Sequence, residues 1–289
     1  MNKKCFLPLI SACLIASAAM GATAKTAKKT ALILATTTSV DNTGLLAYLN
    51  PRFTKATGIR VKVIPRGSGA CLKLAREGAV DLLLAHDPAG EKQLLADGVA
   101  LDRREIMVND FVIIGPAGDP AKVAKTGDAV EAFRQIASSG NTFISRGDNS
   151  GTHTKELSLW KLSGTGPVSG EPLPKWYLSA GQGMGKVISI ATEKRAYTLA
   201  DRGTYYAWSL AQPSRTDLVV LSEGDQRLVN LYSVITLDPK KFPRINQEAA
   251  VRYADWISSP ETAKLIDSFR IAGKVLFHPL RGKGDKNGG

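Results

Sequence analysis

Cysteine and histidine are both scarce in this chain, and each shortage removes a class of chemistry. Of 289 residues, three are cysteine and three are histidine. Cys5 and Cys13 fall within a leader-like start: "MNKK" is basic, "CFLPLISACLIASAAM" is apolar, and "ATA" at 22–24 places small residues before Lys25. Residues 1–24 therefore read as a secretory signal peptide, too short for a membrane span. A secondary reading takes "ISAC" as a lipoprotein cleavage box with an anchor at Cys13, although the apolar run ahead of it is short. Cys71 then stands alone, so no internal disulfide is available and the fold must be stable from its core. His86, His153 and His278 show no His-Glu-x-x-His spacing, and no direct metal ligands are expected. The chain also lacks a Gly-x-Ser-x-Gly elbow and a Gly-x-x-x-x-Gly-Lys-Ser/Thr loop, which argues against a hydrolase and against nucleotide chemistry. Outside the leader, no apolar run reaches transmembrane length. The formal charge is +12. The basic residues are scattered without an aromatic–basic motif, so nucleic acid is not an expected partner. A positive field does favour capture of small anions. The expectation is an exported, soluble protein that is not an enzyme.

What is present is alternation. "ALILATTT" reads as a strand and "NTGLLAYLNPRFTKATG" as a helix closed by Gly58. "IRVKVIPRGSG" is a strand, "ACLKLAREG" a helix, "AVDLLLAH" a strand and "EKQLLADG" a helix. Strands alternating with helices predict a largely parallel sheet covered on both faces. "DFVIIGP" (110–116) and "LVNLYSVITL" (228–237) flank a middle region and suit crossovers between two lobes. The expected division is a first lobe over 28–112 with a return part over 229–280, and a second lobe over 113–228. The polar, Gly-rich tail 281–289 is expected to be disordered. In such folds ligands sit beyond the carboxyl ends of strands, where helices begin.

Three strand-to-helix junctions are rich in hydroxyls or glycine. In "ATTTSVDNTG", one of Asp41, Asn42 or Thr43 suffices to cap a helix, which leaves Thr37, Thr38 and Ser39 in excess. Capping or an anion site are both open for them. In "RGSGACL", Gly67 and Gly69 allow close backbone approach and Ser68 offers a hydroxyl, although Gly-Ser-Gly is also a common turn. Arg66 beside it adds charge or faces solvent. In "FISRGDNSGTHTKE", Arg146 supplies paired donors for an oxyanion, and Ser150 and Thr152 bracket Gly151 at a helix start. Asp148 is placed to hold the guanidinium's free edge. Taken together, the three junctions predict a tetrahedral oxyanion held between two lobes.

Several long motifs add a resemblance. "ATTTSVDNTGLL", "NDFVIIGP", "SRGDNSGTHTKELSLW", "WYLSAGQGMG" and "YTLADRGTY" are similar to segments of the periplasmic tungstate-binding proteins of bacterial ABC importers, the TupA type. The resemblance spans about Ala31 to Pro279. It implies a class II periplasmic-binding fold: an α/β architecture of two lobes, each a mixed, mainly parallel sheet flanked by helices, joined by two hinge strands. Carried over by motif, it implies ligand contacts from Thr37, Thr38, Ser39, Ser68, Arg146 and Thr152, with Ser150 and Arg202 as secondary candidates. It further implies tungstate or molybdate as ligand, no cofactor, a monomer, a membrane permease as partner and an ATPase on a separate subunit. Phosphate and sulfate are the alternative ligands.

Overall fold

The computed structural model describes residues 31–168, 170–214, 217–271 and 273–280. The leader reading (1–24) and the tail reading (281–289) lie outside the described residues. The chain opens with β1 (Ala31–Thr37), a short α1 (Thr38–Asn42), α2 (Leu45–Thr57), β2 (Arg60–Arg66), α3 (Ser68–Arg76), β3 (Leu82–Ala85) and α4 (Pro88–Ala96). A long strand, β4 (Ala100–Pro116), leads into α5 (Ala129–Ser139), β5 (Phe143–Ser145), α6 (Gly151–Ser163), β6 (Tyr177–Ser179), α7 (Met184–Lys194), β7 (Thr198–Asp201), α8 (Arg202–Ala211) and β8 (Leu218–Ser222). The return comprises β9 (Val229–Leu237), α9 (Gln247–Ile257), α10 (Pro260–Ser268) and three two-residue strands, β10 (Arg270–Ile271), β11 (Lys274–Val275) and β12 (His278–Pro279).

The first lobe is built on the strand order β12-β4-β9-β3-β1-β2. β1 pairs in parallel with β2 and β3, because helices carry the chain back between them. β9 runs antiparallel to both β3 and β4, so the sheet is mixed and its parallel part is confined to β2-β1-β3. The period of two places Leu32, Leu34, Leu82, Leu84 and Val234 on one face, against Leu49 and Phe53 of α2 and Tyr253 of α9. Ala35, Leu83, Ala85 and Ile235 face the other way, against Cys71 and Ala75 of α3 and Leu94 of α4. Both faces are covered, which explains why β3 is apolar at every position.

β4 passes from one lobe to the other. It pairs with β9 as far as Asp110↔Val229, then with β7 from Phe111↔Asp201 and with β8 beyond that. The segment "DFVIIGP" is thus the far end of a longer strand, and the change of partner falls at its first peptide. In the second lobe Phe111 and Ile113 pack on Phe133 and Trp160, while Val112 and Ile114 pack on Val187 and Ile188. The chain returns through a 3₁₀ turn, Gln226–Leu228, into β9. Ion pairs and hydrogen bonds hold both crossovers. Arg202 donates from Nε and Nη2 to the two carboxylate oxygens of Asp110 (2.7 and 2.5 Å) and pairs with Glu223 at 2.6 Å. Lys155 of α6 donates to the carbonyls of Arg227 (2.9 Å) and Val229 (3.3 Å).

Candidate functional site

The three junctions singled out by their hydroxyls meet where the lobes face each other. Thr37 ends β1, and Thr37 and Ser39 are buried with their hydroxyls 3.0 Å apart; Thr38 between them is exposed. None of residues 41–43 is the N-cap of α2, a position taken by Gly44 without a side-chain cap; Thr43 instead closes α1, and its hydroxyl accepts from Leu45 N at 3.2 Å and donates to the Val40 carbonyl at 2.6 Å. Residues 38–42 form a helical turn of their own rather than an extended loop. Its N-terminal position, Thr37, makes no side-chain cap, and neither does Gly67 at the start of α3. Unlike a capped helix, these starts keep N–H groups for an incoming anion.

Ser68 is buried, and its hydroxyl accepts the Gly151 N–H from the second lobe at 3.1 Å. The approach at Gly151 is close enough to exclude a side chain: a Cβ there would lie 2.8 Å from His86 Cε1 and 3.1 Å from Ser68 Oγ. Arg66 faces away, donating to the Pro65 carbonyl at an exposed position.

Arg146 is 6% exposed. Its Nη2 donates to Asp148 at 2.5 Å and its Nη1 to the Thr152 hydroxyl at 3.4 Å; Nε is buried without a partner. The other oxygen of Asp148 accepts from Ser150 N at 3.2 Å. Burial pushes the Asp148 carboxyl up, but Ser150 and Arg146 together outweigh that and hold it below its ordinary value. Both of its oxygens are therefore engaged within the loop. Ser150 caps α6, accepting from His153 N at 3.3 Å. The turn is tight: Gly147 has φ 59° and a Cβ there would fall 1.9 Å from Ser179 Oγ. Arg202 is not brought to this group; it belongs to the crossover, with Asp110 and Glu223.

Two clusters lie behind these ligand candidates, and motif reading missed both. Glu156 is buried under the Arg146 loop, accepting from Tyr177 OH at 2.8 Å and Trp160 Nε1 at 3.2 Å, with Ser145 and the Arg146 backbone as further donors. Burial outweighs those donors and raises its pKa to about 7. On the first-lobe side, His86 bridges Ser39 Oγ (3.3 Å, from Nε2) and Asn230 Oδ1 (2.9 Å, from Nδ1). Asn230 Nδ2 donates to Asn109 Oδ1 and to the Tyr232 hydroxyl, each at 2.8 Å. Near them Asp201 is buried; one oxygen accepts from Thr204 and the other has no partner. Burial raises its pKa against the Thr204 donors. His86 and Asn230 are 144 residues apart, and no local motif announces a pair at that separation.

Comparison with known proteins places these features in context. A family model described as a PBP superfamily domain matches residues 21–261. A tungstate-binding protein TupA of Peptoclostridium acidaminophilum is 42% identical over 278 residues, covering 95% of this chain and 94% of the relative. Among solved structures, TupA from Desulfovibrio alaskensis is 44% identical with a TM-score of 0.76, covering 86% of this chain and 98% of that one. A structure described as the tungstate ABC transporter from Geobacter sulfurreducens is 46% identical with a TM-score of 0.74, covering 83% and 98%.

Proposed function

Because the chain belongs to the TupA-type branch of the PBP superfamily, we propose that it captures tungstate between its two lobes and delivers it to an ABC importer. The observation that carries this reading is the contact of Gly151 N–H with Ser68 Oγ. It joins the starts of two helices from different lobes, beside a buried arginine. An anion there meets the positive ends of α3 and α6 together with the guanidinium, and it touches both lobes only when they are shut. Binding therefore stabilises the closed form.

The ligand's chemistry fits the donors. Tungstate and molybdate near neutral pH carry two negative charges and no proton, so they only accept hydrogen bonds. Hydrogen phosphate brings a proton and gains from a carboxylate acceptor. Asp148 is unsuited to that task, since Arg146 and Ser150 occupy its oxygens. Thr37, Ser39, Ser68, Arg146, Thr152 and the backbone N–H groups beside them form the proposed contact set, with Thr38 and Ser150 at its margin. Arg202 is left out of it. The relatives are named as binding proteins, and turnover is not part of the proposal; phosphoester hydrolysis by the purified protein would overturn that. The reading extends to a periplasmic monomer released by cleavage of residues 1–24, its first crossover falling at 110/111, two residues before the expected 112/113, and its second at 228/229. It needs no cofactor, and it works with a membrane permease driven by a separate ATPase.

The test is titration calorimetry of residues 25–289 with tungstate, molybdate, sulfate and phosphate in one buffer. The expected result is one-to-one binding of tungstate, with sulfate and phosphate weak or silent. Phosphate or sulfate binding most tightly would discard the substrate assignment.

A further inference from the structure

The hydrogen-bond directions around Ser39 conflict with its proposed role as a donor to an anion. Asn230 Nδ2 donates to Asn109 Oδ1 and Tyr232 OH, so its Oδ1 is the atom that faces His86. That oxygen only accepts, and His86 Nδ1 must therefore carry the hydrogen of the 2.9 Å bond. Burial holds the imidazole neutral, with a pKa lowered to about 4. A neutral ring protonated at Nδ1 presents a lone pair at Nε2; Ser39 satisfies it by donating its single hydrogen there, which leaves its oxygen to accept from Thr37 Oγ1 at 3.0 Å. In this arrangement Ser39 has no hydrogen left for an anion.

Two changes would release it. In the first, the ring proton moves to Nε2. That sets the Nδ1 lone pair against Asn230 Oδ1 unless the amide turns over; Tyr232 OH can then donate to the turned oxygen, but Asn109, whose Nδ2 has no partner, must turn as well, so two buried side chains have to rearrange together. In the second, Nε2 gains a proton while Nδ1 keeps its own. The Asn230 bonds then survive, Nε2–H donates to Ser39 Oγ, and the Ser39 hydroxyl turns to the anion. Resting on the oxyanion-binding reading above, we propose that His86 is a positioning residue that takes up a proton from solvent when a doubly charged oxyanion binds, and thereby turns Ser39 into a donor.

The surroundings are compatible with the second change. The charged groups acting on His86 are Asp87 from its own segment, which favours the imidazolium, and Arg146 and Lys155 from the second lobe, which oppose it. The Tyr232 ring packs on it at 4.9 Å. A bound dianion beside Ser39 offsets the two cations and, in a buried setting, raises the imidazole's affinity for a proton by orders of magnitude.

The experiment is calorimetry of residues 25–289 with sodium tungstate near neutral pH, repeated in buffers of different ionisation enthalpy. The expected result is uptake of up to one proton per anion. Affinity should fall about tenfold per unit rise in pH while that uptake is complete. His86→Gln should still bind one-to-one, more weakly, with no uptake and a flat pH profile. Buffer-independent heat in the wild type, or uptake that persists in His86→Gln, would overturn the inference while leaving the tungstate reading standing. Absence of any binding would end both. Should the variant fail to fold, nitrogen NMR of the wild type decides. On adding tungstate one of the three imidazoles should gain a second N–H, and no change in any of them would overturn the proposal.

Discussion

Arg146 carries a charge into a buried loop with one edge held by Asp148 and its Nε unpartnered, so it is fixed in place while retaining donor capacity. Arg146→Ala should weaken tungstate binding roughly 100-fold, since charge-assisted hydrogen bonds contribute about 1.5–3 kcal/mol each. Arg146→Lys should rescue it only in part, because an ammonium cannot reproduce the paired planar donors. Calorimetry reads both, and unchanged affinity in Arg146→Ala would remove this residue from the site. Glu156 makes a prediction about pH. Its pKa is raised to about 7 from an ordinary 4.5, so the folded chain binds the proton more tightly than the unfolded one. The stability this adds is fully present below about 4.5 and is lost as pH rises through about 7. Glu156→Gln fixes a neutral side chain, so its melting temperature should lack the wild type's fall between those pH values. Residue by residue, part of the candidate site was legible in the sequence. Hydroxyls and an arginine at strand ends are local signals. The exposure of Thr38, the solvent-facing turn of Arg66 and the pairing of His86 with Asn230 depend on distant backbone, which no short motif encodes.

At the scale of elements, most of the strands and helices were legible because they are strongly periodic. The run Leu32–Leu34 alternates, α2 ends at Gly58 with φ 73°, and β3 is uniformly apolar. The separate helical turn at 38–42 has no signal in the sequence, because five residues are too few for a periodic pattern to register. The balance of parallel and antiparallel pairing was also hidden, since β9 is an ordinary apolar strand and its direction is set by the route of the chain. Gly151 offers a test at this scale. A methyl group there would meet His86 and Ser68 from the opposite lobe, so Gly151→Ala should hold the helix start of α6 away from α3. Tungstate affinity should drop, and small-angle scattering should show less compaction on adding tungstate than in the wild type. Full compaction in the variant would mean the interface yields more easily than its geometry implies.

For the whole molecule, a ligand bound only by the closed form must also protect it from heat. At a thousandfold excess over Kd the stabilisation is about 4 kcal/mol, which for a chain of this size raises Tm by roughly 10 °C. The rise should shrink in Arg146→Ala and stay near zero with phosphate. A similar shift with all four anions would point to a general salt effect. The position of β9 has a different kind of consequence, one of timing. In the sheet it sits between β3 and β4, yet it is made long after both, once the whole second lobe has been synthesised. Until residues 229–237 arrive, β3 and β4 have an unfilled strand position between them, and the apolar edge of β3 stays open. The first lobe cannot close during synthesis of the first 228 residues, whereas the second lobe can gather around β4 beforehand. Order of assembly therefore runs against order in the chain: the middle condenses first and the ends last. A chain stopped at residue 228 should bind its N-terminal strands poorly, expose them to protease, and refold only when the missing C-terminal piece is supplied in trans.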